Sequence, residues 1–201
     1  MSKLKPPFDL NMPMVLTWAR IAMIPLVIGV FYLPESWLSL TEKNVTACVL
    51  FVLAAITDAL DGYLARRYAG WATPAGAFLD PVADKLIVSA ALVALVGLGR
   101  CDMLIAMVII AREITVSALR EWMAKLGESG KVKVNWFGKI KTIAQMVAIS
   151  SLLWWDPIVV NTSLISGAIN IALIGEVLLY VAAVLTIYSM YVYLRAARST
   201  F

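Results

Sequence analysis

Long apolar runs separated by short polar segments dominate this chain. Six runs approach the roughly 17–25 residues that a bilayer helix needs: 14–33, 45–66, 78–98, 103–126, 140–155 and 171–195. The fifth run is short and reaches full length only if residues 137–139 extend its start. Because the runs are apolar nearly all round, we predict helices buried in a membrane. The predicted fold is a single all-α integral membrane domain, residues 1–201, with six transmembrane helices.

The composition supports this class. Of the 201 residues, 62% are hydrophobic, whereas soluble domains are typically about 45–50% apolar. Histidine is absent, which excludes a histidine base, nucleophile or metal ligand. The first nine residues lack the apolar core of a cleavable signal peptide, and no Arg/Ser-rich transit segment is present. We therefore expect a multi-pass protein of a bacterial plasma membrane.

The basic residues predict the orientation. With six spans both termini lie on one side, and that side collects most of the Lys and Arg residues, which makes it cytoplasmic. The opposite side has only Lys43 and Arg100. The net charge of +4 is thus explained by topology and by contact with anionic membrane lipids, and we expect no nucleic-acid partner. The cytoplasmic residues are Lys3, Lys5, Arg66, Arg67, Lys125, Lys131, Lys133, Lys139, Lys141, Arg195 and Arg198.

Four aspartates lie beside the second and third apolar runs. Asp58 and Asp61 fall near the predicted cytoplasmic end of helix 2, and Asp80 and Asp84 near the start of helix 3. We predict that helix 3 begins at Pro74, after Thr73 as N-cap. An ionised carboxylate at membrane depth costs several kcal/mol unless it is compensated. Pairing with Arg66 and Lys85, or a role as an ion pathway, would each provide a reason for them.

Helical spacing predicts that these carboxylates share a site. Asp58, Asp61, Gly62 and Ala65 fall on one face of helix 2, and Gly76, Asp80 and Asp84 on one face of helix 3. Four neighbouring carboxylates cannot all stay ionised without cations. Hard ions such as Mg²⁺, Mn²⁺ or Ca²⁺ prefer such ligands. Two divalent ions would balance the charge, and two-metal sites serve phosphoryl transfer.

The same positions resemble the signature of a known family. The pattern Asp58-x2-Asp61-Gly62-x2-Ala65-Arg66-x9-Gly76-x3-Asp80-x3-Asp84 is similar to that of the CDP-alcohol phosphotransferases. Nearly the whole chain also resembles bacterial members whose acceptor is glycerol 3-phosphate, most clearly in Asn11-x-Pro13-x3-Thr17-x2-Arg20 and in residues 75–85, 111–124 and 138–146. One departure is Met14, where many relatives carry Asn.

The resemblance implies a reaction and a set of roles. The phosphatidyl group of CDP-diacylglycerol passes to glycerol 3-phosphate, and CMP leaves. Two Mg²⁺ or Mn²⁺ ions are expected, and Asp84 is the expected general base. Relatives form homodimers, so a homodimer is expected. The implied metal ligands are Asp58, Asp61, Asp80 and Asp84, and the implied CDP-binding residues are Asp61, Gly62, Ala65, Arg66 and Gly76.

A phosphorylated acceptor needs cations near the metals. Guanidinium groups suit phosphate because they donate hydrogen bonds in a fork. The expected acceptor-binding residues are Thr17 and Arg20 in helix 1, Arg112 in helix 4, and Lys139 and Lys141 at the start of helix 5. Glu113 is predicted to orient an arginine or to pair with a lysine, and the role of Arg120 is left open.

Other functions remain open at this point. Another alcohol, such as inositol phosphate, serine or phosphatidylglycerol, would leave the signature intact, although the cations argue against serine. A divalent-cation transporter and an aspartate-rich prenyltransferase are alternatives from other classes. Because the chain has no histidine and no clearly activated Ser or Cys, we favour direct displacement at phosphorus, with an aspartyl-phosphate intermediate as the alternative.

Overall fold

The fold is known from a computed structural model that describes residues 12–67, 74–127, 136–162 and 165–197. Six α-helices follow one another along the described chain, so the six predicted helices are confirmed as helices. A single 3₁₀ turn, Val30–Tyr32, continues the first helix. The helices are α1 Met12–Gly29, α2 Leu40–Arg67, α3 Pro74–Gly97, α4 Met103–Lys125, α5 Trp136–Trp154 and α6 Ile171–Ala197.

Within the described residues, three segments are long and apolar enough to cross a bilayer: Met14–Tyr32, Leu40–Tyr63 and Ile171–Arg195. The apolar part of α5, Ile140–Trp154, is shorter. Helices α3 and α4 carry internal charges such as Asp84 and Arg112, which lower their hydropathy. The protein is therefore a helical membrane protein, while six crossings with both termini in the cytoplasm remain a prediction.

Side-chain burial follows the inverted pattern of a membrane protein. Large apolar side chains face outward, for example Leu104 and Met107, which are 70% and 66% exposed. Polar groups are instead buried between helices, where they find partners away from lipid. The buried polar and charged residues include Thr17, Arg20, Asn44, Asp61, Arg112, Lys141, Gln145, Thr186 and Ser189.

A capping box begins α2. The amide and hydroxyl of Ser39 donate to Glu42 Oε2 at 2.8 and 2.7 Å, and the Glu42 amide donates back to Ser39 Oγ at 3.4 Å. These bonds satisfy amides that the first helical turn leaves free. The helix therefore begins at Leu40, ahead of the apolar run 45–66, because the capping box stabilises the polar residues 41–44 as the first turn.

A side-chain cap also begins α4. Asp102 Oδ1 accepts from the Leu104 and Ile105 amides at 2.8 and 3.4 Å, which caps α4. Helix α3 begins at Pro74 as predicted, and the proposed cap Thr73 lies outside the described residues. Helix α5 begins at Trp136, which confirms that residues 137–139 complete it.

The contacts divide the chain into two compact units, Met1–Ala94 and Leu95–Phe201. In the first, α1 packs along α2. In the second, α6 packs against both α5 and α4, and Gly175 permits a close approach. A Cβ atom at Gly175 would lie 2.8 Å from Leu152 Cγ, so only glycine fits there without a shift. The single-domain interpretation remains a prediction.

A β-hairpin between α5 and α6 was missed. Strands β1, Ile158–Thr162, and β2, Ile165–Ile169, pair antiparallel with Ile158 opposite Ile169. The β-branched run at residues 158–160 favours a strand, but its length was too short to stand out beside the long apolar helices. The all-α prediction is therefore corrected by this one element.

The two cations predicted for the outer side bind helix ends. Arg100 Nη1 donates to the Leu152 and Leu153 carbonyls, both at 3.2 Å, in the last turn of α5. Burial lowers the pKa of Arg100, and the charge of Asp156 opposes that shift. Lys43 Nζ donates to the Leu33 carbonyl at 2.6 Å. Arg100 thus stabilises the carbonyl end of α5, where the dipole is negative, and Lys43 satisfies the carbonyl of the residue that follows the 3₁₀ turn.

Candidate active site

The four aspartates are the first part of the candidate site. Asp58 and Asp61 come from α2 and Asp80 and Asp84 from α3, and we call them the carboxylate cluster. Three of them meet the guanidinium of one residue of α1, Arg20. Its Nη1 lies 2.8 Å from Asp58 Oδ1 and 3.6 Å from Asp84 Oδ1, and its Nη2 donates to Asp61 Oδ2.

The fourth aspartate is held by the same helix. The Thr17 hydroxyl donates to Asp80 Oδ1 at 2.6 Å. Thr17 and Arg20 are three residues apart, so α1 presents a hydroxyl and a guanidinium on one face. The spacing on α2 and α3 therefore brings the aspartates together as predicted, around a residue pair of α1.

The carboxylate cluster is buried at one end and open at the other. The side chains of Arg20 and Asp61 are 0% and 4% exposed, whereas those of Asp58 and Asp84 are 39% and 51% exposed. A polar molecule can thus reach Asp58 and Asp84, while Asp61 is held in place by its buried partner.

The donor set fits a hard divalent cation in ligand type and charge. Carboxylate oxygens are the ligands that such ions prefer, and these carboxylates already surround one positive charge. Among the described residues, no three Asp, Glu, Cys or His side chains are arranged to hold an ion directly. The carboxylates of Asp58, Asp61 and Asp84 instead lie around the Arg20 guanidinium.

The predicted CDP-binding residues belong to the same two helices. Gly62 follows Asp61 on α2 and is half-buried, and Gly76 is buried near the start of α3. Ala65 and Arg66 belong to α2, but their side chains lie outside the part of the chain that the structure describes. Pairing of the aspartates with Arg66 is therefore not described, and the cation found among them is Arg20.

A second charged cluster lies in the other unit. Glu113 of α4 accepts from Lys141 Nζ of α5 and from Arg112 Nη1 at 3.4 Å. Arg112 and Lys141 are 5% and 2% exposed, so two buried cations share one carboxylate. The prediction that Glu113 would orient an arginine or pair with a lysine is confirmed for both. We call Arg112, Arg120, Lys141 and their carboxylate partner Glu113 the cation cluster.

Helix α6 supplies two residues that the sequence interpretation missed. Ser189 Oγ accepts from Arg112 Nε and Nη2 at 3.2 and 2.6 Å. The Tyr193 hydroxyl accepts from Arg120 Nη2 at 2.9 Å. A serine and a tyrosine four residues apart in an apolar helix were the available signal, because polar groups in a membrane helix seek partners.

The predicted acceptor-binding residues belong to both units. Arg112 and Lys141 belong to the cation cluster, whereas Thr17 and Arg20 contact the aspartates. A buried guanidinium needs anionic partners, and α2 and α3 provide them. Lys139 lies in the first turn of α5, and its side chain is outside the described residues.

Comparison with known proteins identifies the class. A family profile described as CDP-alcohol phosphatidyltransferase matches residues 10–188. The chain belongs to this family, whose members generally depend on a divalent metal ion.

Close relatives share most of the chain. Three of them are named CDP-diacylglycerol–glycerol-3-phosphate 3-phosphatidyltransferase. The protein of Sodalis glossinidius is 48% identical over 192 residues, which cover 94% of this chain and 96% of the relative. The protein of Pectobacterium atrosepticum is 46% identical over 190 residues, 94% and 95% of the two chains. The protein of Escherichia coli K12 is 46% identical over 191 residues, 94% and 96%.

Proposed function

We propose that this protein transfers the phosphatidyl group of CDP-diacylglycerol to glycerol 3-phosphate, forming phosphatidylglycerophosphate and CMP in phospholipid biosynthesis. The observation that carries the proposal is the carboxylate cluster, which has the family's spacing and three of whose four members contact one cation, Arg20. The nearly full-length similarity to the named relatives supports the same acceptor.

The carboxylate cluster would hold the metal. Asp58, Asp61, Asp80 and Asp84 are the proposed ligands of two Mg²⁺ or Mn²⁺ ions. When bound, such ions stabilise negative charge on a diphosphate and on the departing CMP. Arg20 and Thr17 hold these carboxylates in place. Their contacts favour this role over the predicted binding of the acceptor.

The cytidine diphosphate is proposed to lie along the faces of α2 and α3 that carry the signature. Asp61, Gly62, Ala65, Arg66 and Gly76 are the proposed contacts. The glycines and the alanine have little or no side chain, so a flat nucleotide can approach the backbone closely. Arg66 would add a guanidinium for a phosphate oxygen.

The acceptor is proposed to be held by its phosphate. Arg112, Lys139 and Lys141 are the proposed cations for glycerol 3-phosphate. Asp84, which is half-exposed, takes the proton from the attacking hydroxyl. The new bond forms between that oxygen and the phosphorus of the lipid-side phosphate. The bond from this phosphorus to the oxygen of CMP breaks, and CMP leaves with the electron pair.

The proposed setting is the plasma membrane of a bacterium, with the site facing the cytoplasm and the protein acting as a homodimer. The excess of Lys and Arg on one predicted side supports this orientation, and the resemblance to the family supports the dimer. Anionic headgroups on the cytoplasmic face would contact the exposed basic residues.

A panel of acceptors tests the proposal. Purified protein in lipid vesicles is incubated with CDP-diacylglycerol, Mg²⁺ and one alcohol at a time: glycerol 3-phosphate, inositol phosphate or serine. We expect CMP and a new lipid with glycerol 3-phosphate alone. CMP release with another alcohol only would transfer the proposal to that acceptor. Ion flux across the vesicles without CMP would favour a transporter.

A further inference from the structure

Helix α6 holds one arginine of the cation cluster through a hydroxyl. Ser189 Oγ accepts two hydrogen bonds from Arg112, from Nε at 3.2 Å and Nη2 at 2.6 Å. The Ser189 hydroxyl hydrogen is donated to the Thr186 carbonyl at 3.0 Å. Because a hydroxyl has one donor and two acceptor positions, this donation leaves both lone pairs of Ser189 for Arg112.

The next turn of α6 holds the other arginine. The Tyr193 hydroxyl accepts from Arg120 at 2.9 Å. The centre of the Tyr193 ring lies 5.2 Å from the Arg120 guanidinium carbon and 5.9 Å from that of Arg112, within the range of a cation–π contact. The ring packs with Val116 and Met123 of α4. One face of α6 thus restrains both guanidinium groups.

The partners that α6 supplies, Ser189 and Tyr193, are neutral, so they leave the arginines able to bind an anion. Hydroxyl groups fix the direction of a guanidinium without cancelling its charge, whereas a carboxylate would cancel it. Arg112, Arg120 and Lys141 contribute three positive charges, and Glu113 is their one carboxylate partner among the described contacts. The cluster keeps about two net positive charges. A phosphate monoester at neutral pH carries about the same charge with the opposite sign.

Donors also remain for an anion. A guanidinium has five N–H donors, and the contacts of Arg112 with described residues use Nε, one position on Nη2 and one on Nη1. A fork that is held along one edge presents its remaining donors in a fixed direction. Two-point binding of phosphate depends on such a direction.

We propose that Ser189 and Tyr193 are positioning residues that orient Arg112 and Arg120 for the phosphate of the acceptor alcohol. This inference rests on the proposed function, because it assigns the cation cluster to the acceptor. It adds α6, which the family signature does not include, to the determinants of acceptor affinity.

Four variants test the inference. Ser189→Ala removes the acceptor for Arg112, Ser189→Thr keeps it, and Tyr193→Phe keeps the ring while removing the hydroxyl. Ser150→Ala is the matched control, because the Ser150 hydroxyl donates to the Met146 carbonyl within α5. Steady-state rates are measured in vesicles with glycerol 3-phosphate varied at saturating CDP-diacylglycerol, and the reverse.

We expect Ser189→Ala to raise the KM for glycerol 3-phosphate about tenfold, in keeping with the loss of hydrogen bonds to a charged group. The KM for CDP-diacylglycerol should stay within about twofold of wild type. Tyr193→Phe should raise the acceptor KM about threefold, and Ser189→Thr should restore it. Ser150→Ala should leave both KM values unchanged.

Unchanged acceptor KM in both Ser189→Ala and Tyr193→Phe would overturn the inference. So would a parallel loss of kcat and of both affinities, which is the signature of a structural role. Thermal stabilisation by glycerol 3-phosphate gives a second readout that needs no turnover. Wild-type protein that forms no CMP with glycerol 3-phosphate contradicts the proposed function, whereas stabilisation retained in both variants contradicts the positioning role alone.

Discussion

Replacement of Arg20 by Gln removes the cation at the centre of the carboxylate cluster. Arg20 is fully buried, and its closest buried partner is Asp61. Removal of one partner from a buried ion pair typically costs about 3–5 kcal/mol, because the other charge stays buried. Asp58 and Asp84 contribute less, since water screens groups with 39% and 51% exposure. We therefore expect a loss of about 3–5 kcal/mol, carried mainly by Asp61.

Thermal unfolding in detergent, with and without Mg²⁺, measures this loss. For a chain of this size it corresponds to a fall of about 6–20 °C in Tm without divalent ions. Mg²⁺ should raise the Tm of Arg20→Gln more than that of wild type, because the carboxylates without the guanidinium attract a divalent cation more strongly. Arg20→Lys keeps the positive charge but loses the forked donors of the guanidinium. Its Tm should therefore lie between those of Arg20→Gln and wild type.

Lys125→Gln is the surface control for this experiment. Lys125 Nζ lies 3.0 Å from Glu121 Oε1, but the two side chains are 73% and 70% exposed. An exposed pair contributes about 0–1 kcal/mol, so the Tm of Lys125→Gln should stay close to that of wild type. The reasoning is refuted if Arg20→Gln unfolds at the wild-type temperature without divalent ions, or if Mg²⁺ raises both Tm values equally.

Three further predictions concern other parts of the chain. Asp84→Asn should lower CMP formation by about 10²–10⁴-fold with Tm retained, and a near wild-type rate would remove Asp84 as the base. Arg100→Gln loses the hydrogen bonds to the last carbonyls of α5, so urea or thermal unfolding should report a loss of about 1.5–3 kcal/mol, and a loss no larger than that of Lys125→Gln would contradict this. Burial and the charge of Asp102 raise the pKa of the Cys101 thiol to about 11, so the protonated form dominates at neutral pH. In a Cys48→Ser background, maleimide labelling of Cys101 should be slow at neutral pH and accelerate as the pH approaches the pKa, whereas rapid labelling at neutral pH would disagree.

Hydrophobic patterning was sufficient for the helices but not for their ends. The apolar runs locate all six helices, because the length of a run and the absence of polar breaks are local properties. The start of α2 lies ahead of its apolar run, since the Ser39–Glu42 capping box stabilises a polar first turn. The hairpin at residues 158–169 was missed because its pairing joins two short segments, neither of which is distinctive alone.

The same division applies to the candidate site. Helical spacing places Asp58 with Asp61 and Asp80 with Asp84, because each pair lies within one helix. The contact of Arg20 with three of these aspartates depends on how α1 packs against its neighbours, which no local pattern specifies. Ser189 was overlooked for a related reason. The sequence of α6 is largely apolar, and the role of Ser189 is recognised only from its contact with Arg112.

The most direct test of the account compares wild type with Asp61→Asn. Both proteins are reconstituted with CDP-diacylglycerol, glycerol 3-phosphate and Mg²⁺, and CMP and phosphatidylglycerophosphate are quantified together, with circular dichroism as the check on folding. Wild type should form the two products in equal amounts, and Asp61→Asn should form them at least about 100-fold more slowly while it stays helical. The absence of CMP from wild type, or equal rates for the two proteins, would contradict the account.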